Sequence, residues 1–149
     1  MIAFSVAGIP APQGSKRHVG NGIMVEMSKE LKPWRLAVQC AAHDAMQSSG
    51  MRFPLSGPLH LKIVFMFKRP KGHYGTGKNG GRLKPSVPFF YAKTPDIDKL
   101  VRSTSDALTI SGLWIDDGQV AELSVIKLYS DAGKSGAFIT VATMDEQTQ

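Results

Sequence analysis

Four aspartates in one short span are the residues of this chain best placed to do chemistry. Asp96 and Asp98 stand one residue apart just after Pro95, and Asp116 and Asp117 are adjacent, in the run TPDIDKLVRSTSDALTISGLWIDDGQV. Carboxylates gathered together repel one another and call for a cation. Hard oxygen ligands with open positions suit Mg²⁺, with Mn²⁺ as a substitute. A carboxylate-bound Mg²⁺ beside a basic surface suits hydrolysis of a phosphodiester, because the metal polarises the phosphoryl oxygen and steadies the leaving oxygen. Each piece also has an ordinary explanation. Asp at a helix start caps the helix or answers its dipole, and DDG is a good turn sequence.

The elements around these acids decide whether they meet. Residues two apart on an extended chain share a side, whereas on a helix they point apart. Pro95 holds Thr94 away from helical dihedrals. We therefore expect 93–98 to be extended, with both carboxylates facing one way and Ile97 facing the core. A helix then starts near Asp98 with Ile97, Leu100, Val101, Thr104 and Leu108 on its apolar side, and Lys99, Arg102 and Asp106 opposite. Ser111-Gly112 ends it. A helix of about 12 residues rises about 18 Å, and about eight extended residues reach back about 26 Å. Asp116 or Asp117 can thus return to the helix start.

The rest of the chain supplies a scaffold. MIAFSVAGI alternates and reads as a first strand, and PAPQGSKRHVGNG has no period and reads as a loop. A helix follows from a Ser28 cap to Gly50, with Pro33 in its first turn and Leu31, Trp34, Val38, Ala41 and Ala45 as its stripe. LSGPLHLKIVFMFKR reads as a central strand, since Leu59, Leu61, Ile63, Phe65 and Phe67 share one face and Val64 and Met66 lie on the other. Residues 69–93, rich in Gly, Lys and Pro, are expected to form a long mobile basic loop. QVAELSVIKLYS and GAFITVATM read as two more strands joined by a hairpin at DAGKSG. The fold class is α+β (mixed α/β): a small mixed sheet of about four strands packed with two main helices, one domain over 1–149.

Charge points to an anionic partner. The 149 residues carry a net charge of +6, and no acid falls between positions 45 and 95, where nine Lys and Arg lie. Such a stretch suits a phosphate backbone; it also suits a solvated basic face. One cysteine, Cys40, excludes an internal disulfide framework and is expected to be buried among alanines. No apolar run reaches the ~18 residues of a membrane span, and no basic residue precedes Lys16 as a signal peptide would require. GHYGTGKN approaches a phosphate-binding loop, but Asn79 replaces the Ser or Thr and no helix can open after it, so no nucleotide cofactor is expected. The four histidines show no metal spacing, and Phe89 and Phe90 are expected in the core.

The 27-residue run from Thr94 to Val120 resembles the signature of the RusA family of Holliday junction resolvases, often encoded by phages and prophages. The family pattern is K-P-D-x-D-N, a helix lysine, D-A-L, an aromatic, D-D and Q-V. GIPAPQGSKR resembles the family's early loop. The resemblance implies a homodimeric endodeoxyribonuclease acting on branched DNA in the cytoplasm of a bacterial host. It implies Mg²⁺ on catalytic Asp96, Asp98 and Asp117, with Asp106 structural, paired with Arg102. The family's helix lysine falls on Arg102, which keeps the charge and can clamp a phosphate but cannot transfer a proton. Lys99 replaces the family Asn, and Thr94 the lysine before P-D, with Lys93 one residue earlier. Lys16, Arg17, Lys68, Arg69, Lys71, Lys78, Arg82, Lys84, Lys93 and Lys99 are the expected DNA contacts. Two rivals stay open: a non-catalytic basic DNA-binding protein, and a metal nuclease acting on flaps or RNA.

Overall fold

The structure is a computed structural model that describes residues 1–14, 20 and 29–145, with the backbone alone for 16–18 and 24–26. It has a four-stranded mixed sheet with two helices against one face. The strands are β1 (Ile2–Ala7), β4 (Leu59–Lys68), β5 (Val120–Ser130) and β6 (Gly136–Thr143), in the order β1-β6-β4-β5. Two short strands, β2 (Lys16–His18) and β3 (Met24–Glu26), pair antiparallel by themselves. The segment expected to be a plain loop therefore carries a hairpin. The helices are α1 (Leu31–Ser49) and α2 (Ile97–Ser111).

β4 is central, as its apolar pattern predicts: Leu59, Leu61, Ile63 and Phe65 are fully buried, and Val64 and Met66 half-buried. It runs antiparallel to β6 and parallel to β5. The expected β5–β6 hairpin is overturned, because β4 lies between those two strands. The turn chemistry of DAGKSG reports a reversal of direction. It cannot report whether a third strand fills the gap. Parallel neighbours need a crossover, and α2 is that crossover.

α1 buries Leu31, Trp34, Val38 and Ala42. Its N-cap is Glu30 and its C-cap Gly50 in left-handed backbone; the expected Ser28 cap lies outside the described residues. Trp34 Nε1 donates to Thr104 Oγ1 at 3.1 Å, fixing α1 against α2. α2 buries Leu100, Ser103, Thr104, Ser105, Ala107 and Leu108. Ile97 does not face the core, since it is 38% exposed, so the buried stripe is rotated from the expected one. Small hydroxyls fill positions where the packing is close: Ser103 Oγ donates to Ala11 O at 2.6 Å, seating the early loop on α2. Cys40 is exposed, contrary to expectation, because α1 turns Ala42 rather than Cys40 toward the core.

Candidate active site

The first acidic pair sits at the N-terminal end of α2, and Asp117 of the second pair lies along the side of the same helix, sharing cavities with Asp98 and with Asp106. Asp96 is the N-cap residue in extended backbone, and Asp98 falls in the first helical turn. The helix therefore begins one residue earlier than the extended reading requires, and the two carboxylates do not share an extended face. Asp98 answers the positive helix end. Asp96 lies 3.8 Å from Lys99 Nζ, a solvent-facing pair of small energetic consequence. The approach to the helix is tied to β5. Tyr91 N donates to Lys127 O at 2.9 Å, and Lys127 Nζ donates to the carbonyls of Lys93 and Pro95 at 2.6 and 2.7 Å.

The second acidic pair is held as tightly. Leu113 and Trp114 are buried, and Leu55 N donates to Leu113 O at 2.8 Å. Asp116 and Gln119 form a reciprocal capping box around a short 3₁₀ turn. Gln119 Nε2 also donates to Leu55 O and Gly57 O, each at 3.0 Å. That accounts for the glutamine of the Q-V pair. Asp117 is carried on the turn itself, and β5 starts at once with a register shift opposite Leu59/His60. A bulge of this kind re-aims side chains.

Between α2 and the start of β5 lies an open cleft of about 350 Å³. Leu61, Val101, Val120 and Leu123 make its apolar wall, and Asp98, Arg102, Asp117 and Glu122 its charged rim. The sequence reading missed Glu122. It reads as one position of a strand; in the fold it lies opposite His60, 4.0 Å from His60 Nε2, at the margin of the cleft. A smaller cavity of about 240 Å³ lies on the other side of Asp117, lined by Arg35 and Asp106 among others.

The rim is electrostatically stressed. Asp117 has its pKa raised, first by the hydrogen bond it shares with Asp116, then by partial burial and the negative charges of Asp116 and Asp106. Asp116 is lowered, first by the Gly118 N–H that donates to it and then by Asp117. The Asp106–Arg102 pairing is overturned. Asp106 accepts from Gln13 Nε2, whose Oε1 accepts from Arg35 at 3.3 Å. Gln13 N also donates to Lys99 O at 3.1 Å. Gly14, at φ +98°, leaves room for Arg102, whose Nη1 would lie 3.2 Å from an added Cβ. The early loop thus braces the helix face that carries Arg102.

Among the described residues, no three Asp, Glu, His or Cys side chains stand close enough to hold one metal ion. The expected meeting of three carboxylates reduces to Asp98 and Asp117 on one cleft, with Asp96 outside its lining. Two carboxylates still fit Mg²⁺, which keeps several waters and takes its remaining oxygens from substrate phosphate. The raised pKa of Asp117 has its causes in Asp116, partial burial and Asp106.

A family model for the endodeoxyribonuclease RusA matches residues 7–142. The chain belongs to the RusA family of endodeoxyribonucleases. No curated protein matches the sequence. The RusA match takes in the early loop, both acidic pairs and the whole cleft.

The basic residues divide. Lys68, Lys71, Lys78, Arg82, Lys84 and Lys93 are exposed and Lys99 half-buried; the side chains of Lys16 and Arg17 lie outside the described residues. Arg69 is only 5% exposed and is withdrawn from the expected DNA contacts. Its Nη1 donates to Pro88 O at 2.7 Å and lies 3.3 Å from His73 Nδ1, with its Cζ 4.9 Å from the Tyr129 ring centre. Partial burial, then the Arg69 charge, lowers the pKa of His73. The 69–93 segment is not structureless. It has short 3₁₀ turns at Lys71–His73 and Gly77–Asn79, and Gly75 N and Lys84 N bond to Arg82 O and His73 O. Among the described residues no helix is long and apolar enough to cross a membrane.

Proposed function

We propose that this protein is a Mg²⁺-dependent, structure-selective endodeoxyribonuclease that resolves four-way junctions and related branched DNA in recombination and repair. The observation that carries the proposal is the placement of Asp98, Arg102 and Asp117 on one open cleft within the RusA match. Asp98 and Asp117 would hold the ion, and Asp96, the N-cap residue of α2, lies outside the lining of the cleft. When bound, Mg²⁺ supplies Lewis-acid stabilisation to the phosphoryl and leaving oxygens. Arg102 clamps the non-bridging oxygens of the phosphate and offsets the charge that builds up on them. Water adds to phosphorus and one backbone P–O bond breaks, leaving a phosphate on one end and a hydroxyl on the other. The exposed lysines of 68–93 hold the DNA backbone. A four-way junction has two-fold symmetry and is cut twice, which a C2 homodimer with two such clefts answers.

The test is cleavage of an end-labelled mobile four-way junction and a matched linear duplex, with Mg²⁺, with Mn²⁺ and with EDTA. Paired nicks in the junction alone, lost with EDTA and with Asp98→Asn, are the expected result. Tight junction binding without cleavage in either metal would instead favour a non-catalytic DNA-binding protein.

A further inference from the structure

Phe89 and Phe90 are not core residues. They are 55% and 59% exposed, and their rings meet edge to face with centroids 5.1 Å apart. The backbone beneath them is pinned on both sides. Arg69 holds Pro88 O, Tyr129 N donates to Phe89 O at 3.0 Å, and Tyr91 N donates to Lys127 O. Phe90 bridges to Leu128 on the free edge of β5, and Tyr91 stacks on Phe67 at 4.1 Å. Two large rings are thus presented to solvent on a fixed backbone, although burying either would be favourable.

We propose that this aromatic pair stacks on nucleobases unstacked at the branch point of the DNA, and so supplies branch selectivity. The proposal rests on the nuclease reading above and names the part of the substrate that this surface reads. Charge decides the occupant. The pair lies in a stretch without a single acid, between Lys84 and Lys93. A two-fold contact through this face would set the acid-free stretch, with Lys84 and Lys93, against its own copy. Nucleic acid brings the opposite charge, and aromatic rings in a basic groove take bases through their π-faces whatever the sequence. An intact duplex offers no free face, whereas a branch point does. Phe90 stands eight positions before Asp98, the acid on the cleft, a span of at most about 28 Å, or about eight nucleotide steps of one strand at ~3.4 Å each. The rings therefore lie within reach of a branch whose neighbouring phosphate occupies the cleft.

The test uses Asp98→Asn protein, so that DNA stays intact, with 2-aminopurine at the branch point of a junction and at the same place in a linear duplex. The expected result is a rise in fluorescence with the junction only. Phe89→Ala/Phe90→Ala should abolish that rise and weaken junction binding about 5- to 150-fold, leaving duplex binding unchanged. Phe89→Leu/Phe90→Leu, which keeps apolar surface without a ring, should behave like the alanine pair. Rescue by leucine, an equal loss on duplex and junction, or a change in oligomeric mass alone would overturn the stacking role. Each of those results leaves the nuclease reading intact if the wild type still nicks the junction. Failure of the intact-ring protein to bind any DNA would sink both.

Discussion

Lys127 reaches from β5 to the carbonyl of Pro95, donating at 2.7 Å to the peptide group that carries Asp96 into α2. A second bond from the same ammonium, to Lys93 O, makes it a two-point clamp on the approach to the acids. Lys127 lies outside the lining of the cleft, so under the proposed reading its part is to position the start of α2. We expect Lys127→Met to cut single-turnover cleavage by about 10²-fold, the cost of a ~1 Å misplacement in a site of this kind. Junction affinity should change little, and Lys127→Arg should recover part of the rate. Equal losses in rate and affinity would make Lys127 a DNA contact instead.

The Asp116–Asp117 pair predicts how metal and pH act on stability. Asp117 is raised by the bond it shares with Asp116, and the charges of Asp116 and Asp106 add to the effect. A raised folded-state pKa contributes stability that is present below the unfolded value and lost as pH rises through the folded one. Above that folded-state pKa the metal-free protein therefore lacks the contribution. Mg²⁺ should raise the Tm at pH 7, with a gain of about 2.7 kcal/mol at a hundred times its Kd. Asp117→Asn should remove the metal response while leaving the metal-free protein at least as stable as wild type at pH 7. A Tm indifferent to Mg²⁺ in the wild type would argue against Asp117 as a ligand.

How much of this was legible beforehand differs by element. The central place of β4 followed from an apolar run with both faces occupied, which only a flanked strand can bury. Gly50 and Gly112 marked helix ends because left-handed backbone there is a local property. Local turn chemistry failed at β5–β6, where the decisive fact is a strand about 70 residues away in sequence. The acidic pairs were legible as a pair of pairs. The place of Glu122 on the cleft margin was not, since it depends on the register of β5 against β4 rather than on the residues of β5 alone. Arg69 misled for a similar reason. Its neighbours in sequence are exposed bases, but the Tyr129 ring and Pro88 carbonyl that bury it come from elsewhere.

Arg102 tests whether the family's helix lysine acts by charge or by proton transfer. A guanidinium keeps its proton across the working range, so cleavage by the wild type would show that charge suffices. Arg102→Lys should then stay within about tenfold of wild type, and Arg102→Gln should lose about 10²–10³-fold, as when one transition-state donor is removed. Gly14→Ala should lower the rate by a smaller factor than the glutamine variant, because φ +98° disfavours any side chain and a Cβ there meets the Arg102 Nη1 at 3.2 Å. Single-turnover rates at saturating protein separate these from binding. A Gly14→Ala protein of full activity would show that the early loop does not set the position of Arg102.

Arg69 and Lys84 make the last comparison, since both are basic residues of one segment with opposite surroundings. Arg69 is buried, bonded to Pro88 O and set over Tyr129, so Arg69→Ala strands a carbonyl and opens a gap beneath the loop. Its expected cost is about 2–3 kcal/mol of folding stability, the range for a hydrogen bond from a charged donor. Arg69→Lys should not restore it, because an ammonium is a compact charge without the planar group that lies over the ring. Lys84 is exposed. Lys84→Ala should leave the Tm alone, weaken junction and duplex binding alike, and reduce the slope of log K against log salt by about 1. Denaturant melts and salt titrations of the two variants give both answers. If Arg69→Ala behaved like Lys84→Ala, the buried guanidinium would be reaching DNA after all, and the segment would have to open to let it.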